Sequence, residues 1–143
     1  MSEPGGRPRR VNEGPGRILL VVYVVFAISA GARALFQIAV QFERAPLAYL
    51  LSAFAAAVYL VAAVALGRAT PASTRVARVA VIVELVGVVG VGLLSVLVPD
   101  DFPDPTVWSD FGIGYGFVPV VLPILGLLWL GRVGTATDAP RVR

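Results

Sequence analysis

Lysine, cysteine and histidine are wholly absent from this chain of 143 residues, and charged side chains of any kind make up only 15% of it. Without cysteine there is no disulfide, no thiol redox pair and no thiolate metal site; without histidine no imidazole can ligate haem or zinc. Quinone-coupled thiol oxidases and cytochrome b-like four-helix proteins are excluded on those grounds. The scarcity of charge goes with 57% hydrophobic residues and a mean hydropathy of +0.83, which together lie outside the range of a soluble domain of this size.

What is present is a set of long apolar runs. Residues 18–40, 47–67, 76–98 and 111–131 each come close to the ~20 apolar residues that carry a helix across ~30 Å of hydrocarbon. The expected fold is an all-α membrane protein, a bundle of four transmembrane helices. Residues 1–17 and 132–143 flank it as basic tails, expected to be disordered because Gly, Pro and Arg cannot bury a core.

Arginine sets the expected orientation. Arg7, Arg9, Arg10 and Arg17 precede the first run, Arg68, Arg75 and Arg78 join the second to the third, and Arg132, Arg141 and Arg143 follow the fourth. The opposite connections hold Glu43 and Arg44 before Pro46, and an acidic loop with Asp100, Asp101, Asp104 and Asp110. Retention of arginine on the cytoplasmic side then puts both termini in the cytoplasm and the chain in the plasma membrane. Ala32-Arg33-Ala34 after an apolar run imitates a signal-peptide cleavage site, but apolar residues resume at Leu35, so a span is the expectation. The arginines are read as topological anchors, with no nucleic-acid partner.

Small residues suggest how the helices pack. The second run is rich in alanine, with Ala53/Ala57 and Ala63/Gly67 as small-xxx-small pairs that permit close backbone approach, so it is expected in the middle of the bundle. In the third, Gly87, Val91 and Ser95 fall within about 60° of Glu84 on a helical wheel and should face inward. The fourth carries Gly112, Gly114 and Gly116 followed by Pro119 and Pro123, so a bend between Gly116 and Pro123 is expected, with the glycine backbone against a neighbouring helix. Trp108 and Trp129, about 31 Å apart along a helix, suit two interfacial anchors. Gly112-Ile113-Gly114-Tyr115-Gly116 lacks the preceding strand of a phosphate loop and the Thr-Val of a potassium filter.

Polar residues within the spans are the best functional pointers, since a charge at mid-bilayer costs ~2.5–3.5 kcal/mol on insertion scales and calls for a partner or a cavity. The candidate intramembrane site consists of Arg33, Gln37, Tyr59, Glu84 and Asp110. Helix rise puts Tyr59 at about the depth of Glu84, making it the expected hydrogen-bond partner, whereas Arg33 sits some 10 Å further out. Arg33 is therefore expected to turn to the acidic loop, with Asp110 its expected partner because it abuts the fourth helix, leaving Glu84 protonated beside Tyr59. A nucleophile-base pair and a second intramembrane acid are missing, so neither catalysis nor a cofactor or metal is expected.

The segment Val107-Trp108-Ser109-Asp110-Phe111-Gly112-Ile113-Gly114-Tyr115-Gly116, with Val118-Pro119 running on to Trp129, resembles small four-span integral membrane proteins of actinobacteria that have no assigned function. The resemblance covers mainly the last third and implies the same topology and no particular activity. Two functions remain open. One is a small accessory or structural protein working through helix contacts with itself or a membrane partner; the other is a minimal proton- or cation-coupled transporter or channel subunit using Glu84 and Arg33. Small multidrug transporters are of similar size but place their acid in the first helix.

Overall fold

The computed structural model describes residues 10–137, with side chains through 133. Among these, every regular element is helical: α1 (Pro15–Gln41), α2 (Pro46–Arg68), α3 (Pro71–Leu97) and α4 (Val118–Thr137), with short 3-10 turns at Phe42–Arg44 and Pro99–Asp101 and a longer one at Ser109–Tyr115. The first three helices each begin on proline, whose fixed φ and missing N–H suit the first turn. At α3 a capping box adds to this: Thr70 Oγ1 accepts from the Ser73 amide at 3.0 Å and Ser73 Oγ from the Thr70 amide at 2.8 Å.

Successive helices run antiparallel, with α2 packed between α1 and α3, and α4 against α3 and, more lightly, α1. The partition of side chains is that of a bundle in lipid. Tyr23, Tyr59, Glu84 and Trp108 are buried, whereas Leu35 is 71% and Leu97 73% exposed. A bundle in water would bury the leucines and expose the acid. Three helices are long and apolar enough to cross a membrane, and a fourth crossing requires taking the Ser109–Tyr115 turn and α4 as one bent span.

That last segment corrects the expectation of a helix over 111–131. The helix starts only at Val118, and the preceding 3-10 turn meets it at 98°. Asp110 (φ 48°), Phe111 (φ 59°), Gly112 (φ 85°), Gly116 (φ 64°) and Phe117 (φ 61°) all take left-handed backbone, which terminates a right-handed helix whatever the hydropathy. The break therefore falls at Gly116-Phe117. Pro119, at the second position of α4, removes an amide that needs no intrahelical partner, and Pro123 lies within the helix.

The tails also differ from expectation where they are described. Val11 is buried, its carbonyl accepting from Trp129 Nε1 at 2.9 Å, and Asn12 Nδ2 donates to the Gly67 carbonyl at 3.3 Å. The chain from Arg10 is thus tied across the ends of α2 and α4, and α4 continues to Thr137. Residues 1–9 and 138–143, expected to be disordered, lie outside the described residues.

Candidate intramembrane polar site

Glu84 has no exposed surface; its Oε2 accepts from Tyr23 Oη of α1 at 2.5 Å, while Oε1 has no protein partner. The expected partner, Tyr59, is close but engaged elsewhere: its ring lies 6.2 Å from that of Tyr23, and its hydroxyl accepts from Trp108 Nε1 at 2.7 Å. Depth alone fits both tyrosines, and the rotation of each helix about its axis decides between them. Three helices and the connection between α3 and α4 therefore each place one polar side chain in a common interior cluster.

Glycine explains why the loop can reach it. A Cβ at Gly87 would lie within 3 Å of three Trp108 ring carbons, and one at Gly92 within 3 Å of three Phe111 ring carbons. The small face of α3 thus turns inward, but toward the 106–111 segment instead of another transmembrane helix. Ser95 completes the seat: Oγ donates to the Gly92 carbonyl at 2.8 Å and accepts from the Asp110 amide at 2.9 Å. Thr106 and Ser109 close the turn before it through Thr106 N to Ser109 Oγ at 2.8 Å. Trp108, expected as an interfacial anchor, is instead a core residue.

Arg33 joins neither acid considered for it. It is exposed and donates to Tyr115 Oη at 2.9 Å, while Tyr115 packs on Phe26, which in turn packs on Tyr59. Asp110 is exposed and holds Ser95 through its backbone amide. The acid of the α3–α4 connection that does form an ion pair is Asp104, which faces Arg44 at 3.1 Å and accepts from the buried Tyr49 hydroxyl. Gln37 is buried with Oε1 unpartnered. The residues expected to form one site are thus divided between an interior cluster around Glu84 and the end of the bundle that carries the α1–α2 and α3–α4 connections.

The glycines divide likewise. Gly112 is pressed against the Pro119 ring, whereas a Cβ at Gly114 or Gly116 would meet nothing within 4 Å. Close packing against a neighbouring helix is therefore not what those two positions provide. No group of three potential metal-ligating side chains occurs among the described residues.

No protein-family model, curated protein or solved structure matches this chain. It is a helical bundle with three helices, or four counting the bent segment, apolar and long enough to cross a membrane.

Proposed function

We propose that this chain is a small structural or accessory protein of the plasma membrane, four-spanning with both termini cytoplasmic, that acts through its lipid-facing helix surfaces on a second copy or a membrane partner. The observation that carries the reading is the use made of Glu84. Its carboxyl is spent on a hydrogen bond between α1 and α3, among side chains with almost no exposed surface, in the manner of a latch that fixes helix register. The arginine-rich ends Arg10, Arg17, Arg68, Arg75, Arg78 and Arg132 gather at one end of the bundle, which supports the orientation.

A second reading has one observation in its favour. Glu84 Oε1 is buried and unpartnered, as a site that takes up a proton or cation would need, so a minimal transporter or channel subunit is the competing function. Arg33 plays no direct part in it, being paired with Tyr115. Two experiments separate the readings. A pull-down from native membranes in mild detergent should recover a stoichiometric partner or second copy. Proteoliposomes under an imposed proton gradient should then leak alike with the wild-type chain and Glu84→Gln; faster wild-type collapse would establish transport.

A further inference from the structure

We propose that the groove between α2 and α3 is a binding site for one acidic phospholipid, its phosphate held at the Arg68 and Arg75 end and an acyl chain lying along the helices. Two cavities of about 470 and 520 Å³ share Val61 and Val76, so they form one continuous furrow. Its walls are apolar from Val64 past Val79 to Phe54 and Val83, and the only charged side chains lining it are the two arginines. From Arg68 to Phe54 is 14 residues, about 21 Å of helix, which exceeds the ~15 Å depth of one leaflet's hydrocarbon. A single acyl chain therefore fits along it without meeting a polar wall.

The charged end is built for an anion. Arg68 and Arg75 are exposed, and neither makes an ion pair among the described residues. Between them the α3 N-terminus presents its partial positive charge. Its capping box occupies the Ser73 amide, Pro71 has none, and the amide of Ala72, which lines the furrow, makes no protein hydrogen bond. Arg10 and Arg17, at the same end of the bundle, instead share their own groove with Glu13. Charge complementarity together with the apolar furrow selects a lipid over a soluble anion or a second copy of the chain, and the inference does not depend on the function proposed above.

Native mass spectrometry of the full chain in mild detergent, with phosphatidylglycerol or phosphatidylcholine added, tests this. Phosphatidylglycerol should be retained in preference. Arg68→Gln with Arg75→Gln should weaken it about thirtyfold, about 2 kcal/mol at 1.4 kcal/mol per factor of ten, as expected for two juxtamembrane arginines. Arg10→Gln with Arg17→Gln, which removes equal charge at the same end, should weaken it far less, and Val76→Trp should displace both lipids by filling the furrow. Equal losses from the two arginine pairs would mean diffuse surface charge and overturn the site. So would displacement by equimolar inorganic phosphate, which would mean a soluble-anion site, or a dimer dissolved by Val76→Trp, which would put a second copy in the furrow.

Discussion

Glycine at position 87 exists to admit Trp108, whose indole N–H then donates to Tyr59 in the interior polar cluster. Gly87→Ala is expected to destabilise the protein in detergent by about 1–3 kcal/mol, the usual penalty of overpacking, and to expose Trp108. Gly90, three residues on, has open space at its Cβ, so Gly90→Ala should be neutral or stabilising by up to about 1 kcal/mol. Thermal unfolding with tryptophan fluorescence distinguishes the two. The inward face of small residues on α3 was legible from helical spacing, but what it faces was not: nothing in the order Trp108-Ser109-Asp110 announces that an acidic, exposed-looking loop folds back into the bundle. Tyr23 was within reach of sequence reasoning. It lies about 8 Å inside its apolar run against about 12 Å for Glu84, close enough in depth, but rotation about the helix axis is set by packing.

At the scale of elements, the helix starts were written plainly in Pro15, Pro46 and Pro71, yet hydropathy sees only the apolar interior and so places the third start at residue 76. The five residues in between are held by Thr70 and Ser73, and Thr70→Ala should cost about 1 kcal/mol of stability by stripping the cap. The fourth segment was least legible because hydropathy is blind to the sign of φ, and non-glycine residues such as Asp110 and Phe117 adopt left-handed backbone only when their surroundings hold them there. Gly116 separates two physical causes. If the positive φ is what matters, Gly116→Ala and Gly116→Leu should each destabilise by about 1–2 kcal/mol, and Gly116→Asn by less. A leucine much worse than alanine would instead indicate steric crowding.

Across the whole molecule, the apolar exterior followed from composition, whereas the placement of the few buried polar groups among mainly apolar ones required the three-dimensional packing. The proposed orientation predicts that a reporter active only in the cytoplasm is bright at residue 143 and in the 68–75 connection and dark near Asp104. Brightness at Asp104 would reverse it.

If Glu84 serves as an internal latch, a double-mutant cycle of Tyr23→Phe and Glu84→Leu on thermal stability in detergent should reveal it. Tyr23→Phe leaves the buried carboxyl without its donor and should cost about 1–3 kcal/mol, as should Glu84→Leu, which strands the tyrosine hydroxyl. The double variant removes both polar groups and should be less destabilised than the sum, with a coupling above about 0.5 kcal/mol. Single variants as stable as the wild type, or effects that simply add, would show that the Tyr23–Glu84 contact does not hold the bundle together.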